Sequence, residues 1–89
     1  MSDNVKQELD TLVLLAYVLY RNRYGKGEWT KAALRNYRQL LIEMCQKRGG
    51  QVAKSMLAII PHTPLKDIAG MCKAAEVAFE AFKKEDTQS

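Results

Sequence analysis

The most constraining feature of the sequence is an uncharged run at residues 12–20, which reads Leu-Val-Leu-Leu-Ala-Tyr-Val-Leu-Tyr. A helix on a protein surface carries an apolar stripe and a polar face, whereas this run is apolar on every side. It is also far shorter than the roughly 20 apolar residues that cross a bilayer. The run therefore predicts the central helix of a small bundle, enclosed on most sides by other elements.

Hydrophobic spacing along the rest of the chain is also helical. Apolar residues recur at intervals of three and four, and the segments are separated by breaks at Gly25-Lys26-Gly27, Gly49-Gly50 and Pro61. No segment alternates between apolar and polar residues over the length of a strand. The sequence predicts an all-α fold with one domain at residues 1–89. It should be a small four-helix bundle-like domain with helices at about 4–24, 30–48, 51–60 and 64–84.

Two threonines mark predicted helix starts. Thr30 is a suitable N-cap for the second helix, because its hydroxyl can accept a hydrogen bond from a free N–H group of the first turn. Thr63 followed by Pro64 predicts the start of the fourth helix, with the threonine as N-cap and the proline at the first helical position. Pro61 is expected to end the third helix, because the residue before a proline is disfavoured in the helical conformation.

The fourth predicted helix carries two apolar stripes. One stripe has large side chains at heptad-like spacing, and we expect the core and a partner surface to share it. Its candidate interface residues are Leu65, Cys72, Phe79 and Phe82. The other stripe has only small residues: Gly70, Ala74, Ala78 and Ala81. A mid-helix glycine costs about 1 kcal/mol relative to alanine, so we expect a packing reason for Gly70. The hydrophobic share of 47 % further suggests a homo-oligomer.

Positive charge is concentrated in the middle third of the chain. The net charge is +4, and residues 21–48 carry eight basic groups against the two acids Glu28 and Glu43. Residues 1–20 are net acidic, and residues 49–89 hold five groups of each sign. The basic middle also contains two aromatic residues that could stack on bases. The candidate nucleic-acid-binding residues are Arg21, Arg23, Lys26, Lys31, Arg35, Arg38, Lys47, Arg48, Tyr24 and Trp29.

The spacing of three basic residues predicts a shared surface on the second helix. Lys31, Arg35 and Arg38 lie at i, i+4 and i+7, which places them on one outer face. Such a stripe can follow a phosphate backbone by neutralising its charge and releasing counterions. The alternative interpretation is a solvated basic face, with Trp29 packed over the end of the core.

The sequence lacks the residues of a small active site or a metal site. Its candidate metal ligands, Cys45, His62 and Cys72, match no zinc-binding spacing. Both cysteines fall at apolar helical positions, which favours buried reduced thiols over a nucleophile activated by the single histidine. The polar, acidic residues 1–4 do not form a signal-peptide pattern. We therefore expect a cytoplasmic, non-enzymatic protein without a cofactor, a metal or a membrane partner.

These patterns predict an accessory or regulatory subunit that contacts the backbone of DNA or RNA, within an oligomer or a larger assembly. The second and third helices have the order of a helix-turn-helix motif. Gln51, Lys54 and Ser55 are the only polar residues that the third helix offers to bases, so readout of the major groove is not expected. The alternative is a protein-interaction module, such as an adaptor, an inhibitor or a phage- or plasmid-type antagonist. It would use the same basic face against an acidic protein surface.

Two short stretches resemble parts of known families. Residues 30–37 read Thr-Lys-Ala-Ala-Leu-Arg-Asn-Tyr, which resembles the Thr-x-x-x-Leu/Ile-Arg-x-Tyr/Phe opening of the helical small subunits of multisubunit CRISPR effector complexes. Those subunits are non-enzymatic and lie along a nucleic-acid duplex, and the resemblance covers one helix start. Residues 40–43 with 52–54 resemble the helical tetramerisation region of a conjugative-plasmid DNA-binding protein, whose DNA-binding domain has no counterpart here. Neither resemblance assigns the chain to a family.

Overall fold

Four helices, joined by short breaks, make up the computed structural model, which describes the backbone of residues 2–88 and the side chains of residues 4–83. They are α1 (Ser2–Tyr24), α2 (Lys31–Arg48), α3 (Gln51–Ile59) and α4 (Leu65–Gln88), with a 3-10 turn at Ile60–His62 between α3 and α4. The described backbone contains no strand, so the all-α prediction is confirmed. None of the helices within residues 2–88 combines the length and apolar character that crossing a membrane would need.

The predicted breaks after α1 and α2 are glycine caps. Gly25 has a φ of +79°, and its N–H donates to the carbonyl oxygen of Arg21 at 2.9 Å. Gly49 has a φ of +69°, and its N–H donates to the carbonyl oxygen of Cys45 at 3.0 Å. Residues that carry a Cβ atom rarely adopt this left-handed backbone conformation, which explains the glycine at both helix ends. Thr30 caps α2 as predicted, because its hydroxyl accepts a hydrogen bond from the N–H of Ala33 at 3.1 Å.

The connection between α3 and α4 differs from the prediction by about one residue on each side. Helix α3 ends at Ile59, and Pro61 lies within the 3-10 turn that follows. Helix α4 begins at Leu65, one residue later than the Thr-Pro signal indicated. The Thr63 hydroxyl does not cap α4, because it donates backwards to the carbonyl oxygen of Ile59 at 3.0 Å. The 3-10 turn places the Ile59 carbonyl oxygen within hydrogen-bond distance of the Thr63 hydroxyl. Thr63 therefore marks the end of the 3-10 turn and does not cap the start of α4.

The core forms where α1 crosses α2 and α4, with α3 packed against α1 and α2. A buried tyrosine joins two of these helices, because the Tyr37 hydroxyl on α2 donates to the Val13 carbonyl oxygen on α1 at 2.7 Å. Both cysteines lie in this core as reduced thiols, which confirms their predicted burial. The largest fully buried side chains are Tyr17, Tyr37, Leu12, Leu41, Ile68, Cys45 and Cys72.

The apolar run in α1 is enclosed on most sides, which agrees with the prediction, although one member is open to solvent. Leu12, Ala16, Tyr17 and Tyr20 are buried, whereas the side chain of Leu19 remains 39 % exposed. The half-buried members of the run are Val13, Leu14, Leu15 and Val18. Helices α2, α3 and α4 all contact α1, and Leu19 is the residue of the run that stays open to solvent.

Candidate functional site

Four exposed cations of the basic middle lie in or beside the hinge between α1 and α2. Arg23 lies in the last turn of α1, Lys26 in the glycine-containing hinge, and Lys31 and Arg35 in the first two turns of α2. All four side chains are exposed. None of the four forms an ion pair with a described side chain. We call these four residues the hinge surface.

The start of α2 adds positive potential to the hinge surface. The first turn of α2 contains no acidic residue. The N-terminus of a helix has unpaired N–H groups and the positive end of its dipole, and an acidic side chain in the first turn would offset both. Thr30 satisfies the N–H of Ala33, but its neutral hydroxyl adds no negative charge to this end of the helix. Glu28 is the acidic residue within the hinge, and its side chain is exposed.

Arg21 does not belong to the hinge surface, because it is held against α4. Its Nη1 donates to the Tyr17 hydroxyl at 3.2 Å and lies 3.5 Å from Oε2 of Glu80. The guanidinium carbon also lies 5.2 Å from the centroid of the Phe79 ring. The hydrogen bond to Tyr17, followed by the hydrogen bond and attraction to Glu80, raises the pKa of Arg21. This arginine therefore links α1 to α4.

Arg38 is turned inward, which corrects its predicted place on the outer face of α2. Its Nη2 donates to the carbonyl oxygen of Thr63. Its Nε is buried and has no hydrogen-bond partner among the described residues. The helical spacing from Lys31 is as predicted, but the segment between the 3-10 turn and α4 covers this part of α2. The face of α2 that carries these residues is thus open to solvent at Lys31, and it is covered by this segment about two turns later, at Arg38.

The far end of α2 is separate from the hinge surface. Arg48 Nε lies 2.8 Å from Oε2 of Glu8, which ties the end of α2 to the start of α1. Lys47 is exposed, but it lies 12 residues beyond Arg35, or about 18 Å along the helix at 1.5 Å per residue. The eight basic residues of the middle third therefore do not form one continuous surface.

The two aromatic candidates have different environments. Trp29 is half-buried and packs among tyrosines, with ring centroids 5.0 Å from Tyr20, 6.1 Å from Tyr17 and 6.2 Å from Tyr37. Its Nε1 is buried without a hydrogen-bond partner among the described residues. This packing over the end of the core is the alternative that the sequence left open for Trp29. Tyr24 is 49 % exposed and lies against Tyr20, with ring centroids 4.9 Å apart.

The large-residue stripe of α4 faces mainly inward. Cys72 is fully buried, Leu65 is half-buried, and Phe79 packs against Tyr17 with ring centroids 5.6 Å apart. Phe82 is the member of the stripe that is open to solvent, at 59 % exposure. Cys72 and Phe79 thus belong to the core of the single chain, and the other side of α4 faces away from that core.

Sequence reasoning missed one exposed residue on that other side of α4. Val77 is 71 % exposed. It lies three residues after Ala74 and four before Ala81, so the small-residue stripe already contained its position in the helical repeat. The signal that could have identified it was a β-branched apolar residue within the small-residue stripe of α4, which does not face the core.

Comparison with known proteins adds no assignment. No family model matches the chain, and neither a curated protein nor a solved structure shows significant similarity to it. The two short resemblances noted in the sequence therefore remain limited to the residues that carry them.

Proposed function

We propose that this protein is a non-enzymatic accessory or regulatory subunit that contacts the phosphate backbone of nucleic acid through the hinge surface. The observation that carries the proposal is the set of four exposed cations, Arg23, Lys26, Lys31 and Arg35, that no described carboxylate pairs. They lie beside a helix N-terminus without an acidic residue in its first turn. Free cations next to a positive helix end form a site suited to phosphate groups.

Binding at this surface would be driven by charge. Each phosphate that a lysine or arginine neutralises releases condensed counterions, and this release provides most of the non-specific affinity of nucleic-acid-binding proteins. Stacking of aromatic side chains on bases should contribute less to the affinity than charge does, because Trp29 is packed among Tyr17, Tyr20 and Tyr37. Exposed Tyr24 is the aromatic residue that remains available for stacking. We therefore expect little sequence preference.

The size of the hinge surface limits its affinity. Four contacts are fewer than the eight basic residues that the sequence offered. Arg21, Arg38 and Arg48 are engaged within the chain, and Lys47 lies at the other end of α2. Non-specific binding by such a surface falls in the range of about 10⁻⁴ to 10⁻⁶ M at physiological salt. A subunit with this affinity works best within an oligomer or a larger assembly, where several weak contacts act together.

Removing two cations from the hinge surface should weaken binding selectively. We expect the double substitution Lys31→Ala with Arg35→Ala to lower affinity for mixed-sequence duplex DNA at low salt. It should also flatten the slope of log affinity against log salt by roughly 2, because each lost phosphate contact reduces the slope by about 1. Fluorescence anisotropy with a labelled duplex, and in parallel with single-stranded RNA, measures both quantities.

Lys47→Ala provides the matched control. Lys47 is an exposed lysine on the same helix but lies outside the hinge surface, so its loss should leave affinity and slope nearly unchanged. A Lys47→Ala variant that weakens binding as much as the double substitution would contradict a localised site. Absence of binding to both DNA and RNA at about 50 mM salt, where electrostatic binding is strong, would contradict the proposal. That result would favour the alternative hypothesis, in which the partner is an acidic protein.

A further inference from the structure

The outward side of α4 is an apolar face that nothing in the described part of the chain covers. Its central line has the heptad-like spacing of four, three and four residues. It consists of Gly70, Ala74, Val77 and Ala81. Val77 is 71 % exposed, and a Cβ placed on Gly70 would meet no atom within 4 Å. The packing reason that the sequence predicted for Gly70 is therefore not found among the described residues of the chain.

A second exposed apolar region continues this face towards α1. Phe82 is 59 % exposed. Together with Ala74 and Ala78 it lines a groove of about 430 Å³ that Leu14 and Thr11 of α1 border from the other side. We call Gly70, Ala74, Val77, Ala78 and Ala81 the α4 outer face, and Phe82 borders it on the side of α1. A contiguous apolar surface with two large exposed side chains is typical of a protein–protein contact.

We propose that the α4 outer face binds the same face of a second copy of this chain, with the two α4 helices antiparallel about a twofold axis near Val77. Such an interface is self-complementary, because each residue contact occurs twice. The small residues Gly70, Ala74 and Ala81 allow the two helices to approach closely. Val77 of each copy lies beside the axis and fills the space between them.

Charge complementarity favours the second copy as the occupant. Lys73 and Glu80 lie seven residues apart, so they occupy the same flank of α4. In an antiparallel helix pair related by a twofold axis, equal flanks meet. An axis between residues 76 and 77 brings Lys73 of one copy level with Glu80 of the other, twice. In a parallel pair opposite flanks would meet instead, and Lys73 would not lie level with Glu80 of the other copy.

The flank that carries Glu80 has room for a lysine from the second copy. A cavity of about 570 Å³ lies beside Val77 and Ala81, with Glu76 and Glu80 in its wall and Lys26 at its hinge side. Glu80 engages Arg21 through Oε2 alone. Glu76 forms no ion pair with a described side chain. Both carboxylates can therefore accept a hydrogen bond from the ammonium group of Lys73 in the second copy.

Light scattering coupled to size-exclusion chromatography tests the proposal on the full chain. We expect a dimer that dissociates on dilution over a range of about 5 to 500 µM, typical of a modest interface. Val77→Glu should raise the dimer Kd by about 100-fold or more, because two carboxylates would be buried at the axis. Ala32→Glu, at an exposed alanine of α2, is the matched control and should leave the dimer intact.

Disulfide trapping then tests the antiparallel arrangement. Val77→Cys should form a covalent dimer under mild oxidation, because the two positions lie beside the axis. Ala81→Cys, on the same face, should not, because an axis between residues 76 and 77 separates the two copies of position 81 by about 13 Å along the helices. This exceeds the span of a disulfide. The native Cys45 and Cys72 are buried and should not compete.

Three outcomes would overturn the proposal. A monomer throughout the concentration range would exclude the dimer. A dimer that survives Val77→Glu, with circular dichroism showing that the variant is folded, would place the interface on another face. Equal crosslinking of Val77→Cys and Ala81→Cys would exclude the antiparallel pairing.

Discussion

Replacing Tyr37 with alanine should lower the free energy of unfolding by about 3–5 kcal/mol, the range for truncating a large buried aromatic side chain. Tyr37 is fully buried, and its ring lies edge-on to Trp29 at a centroid distance of 6.2 Å. Its hydroxyl also joins α2 to α1 through the Val13 carbonyl. Since a domain of this size has a total stability of roughly 4–13 kcal/mol, the variant should unfold at a much lower urea concentration than the unmodified protein. Urea unfolding followed by circular dichroism measures the change.

Two further substitutions separate the parts of this effect. Tyr37→Phe keeps the ring and removes the hydroxyl, so it should cost about 1 kcal/mol, the typical net value of one hydrogen bond. Tyr24→Ala removes a tyrosine that is 49 % exposed, and it should cost less than about 1 kcal/mol because little buried area is lost. A Tyr37→Ala variant no less stable than Tyr24→Ala would show that Tyr37 is not a centre of the core.

The second large effect should appear at alkaline pH, where the fold should lose stability because of Cys72. Burial, reinforced by the nearby carboxylate of Glu76, raises the pKa of the Cys72 thiol from its ordinary value of 9.0 to about 12. Burial also raises the pKa of Cys45 and that of Tyr37. In the folded state these groups hold their protons over a pH range in which the unfolded chain has begun to release them.

The direction of the effect follows from proton linkage. Below pH 9 the Cys72 thiol is protonated in both states, so its contribution to stability is fully present. Between pH 9 and about 12 the unfolded state binds fewer protons than the folded state, so the free energy of unfolding falls as the pH rises. One buried thiol accounts for a fall of up to about 1.4 kcal/mol per pH unit.

Urea midpoints of the reduced protein, measured from about pH 8 to about pH 10.5, test this dependence. Cys72→Ala should be less stable near neutral pH, because it leaves a small cavity, but it should show a shallower loss of stability above pH 9. For each protein the slope of stability against pH is measured relative to its own value near neutral pH. The cavity in Cys72→Ala lowers stability at every pH and therefore does not affect this slope. Parallel curves for the two proteins would contradict the assignment of the alkaline loss to Cys72.

The helices and most of their ends could be predicted from the sequence, because their signals are local. A glycine with positive φ at Gly25 and a hydroxyl cap at Thr30 act within one turn of the helix that they bound. The Thr63-Pro64 signal misled by one residue, because the 3-10 turn offered the Thr63 hydroxyl the carbonyl of Ile59 instead. Local signals failed where two elements competed for one side chain.

The candidate site was only partly predictable, because the fate of each cation depends on distant residues. Arg48 pairs with Glu8, 40 positions earlier, and Arg38 bonds to Thr63, 25 positions later. Helical spacing places a side chain on a face but does not indicate which segment covers that face. Arg35 and Arg38 illustrate the limit, because they are one turn apart in the same predicted stripe, and the segment after the 3-10 turn covers only Arg38.

The apolar run in α1 shows a related limit. Its composition correctly indicated the helix at the centre of the packing, since Leu12, Ala16, Tyr17 and Tyr20 are buried against α2 and α4. A chain with four short helices does not supply enough surface to enclose every side of it, and Leu19 remains exposed. The amount of apolar surface on α1 can be predicted from the sequence. Which side of α1 stays exposed depends on how the other helices cross it.

The salt dependence of binding by the unmodified protein tests the hinge surface most directly. Log affinity for a mixed-sequence DNA duplex, plotted against log salt, should be linear with a slope of about −3 to −4, the value for four phosphate contacts. A slope near −7, as expected for all eight basic residues of the middle third, would show that Arg21, Arg38 and Arg48 leave their partners within the chain to bind phosphate. An affinity that does not change with salt, or no binding at all, would contradict the assignment of the hinge surface to nucleic acid.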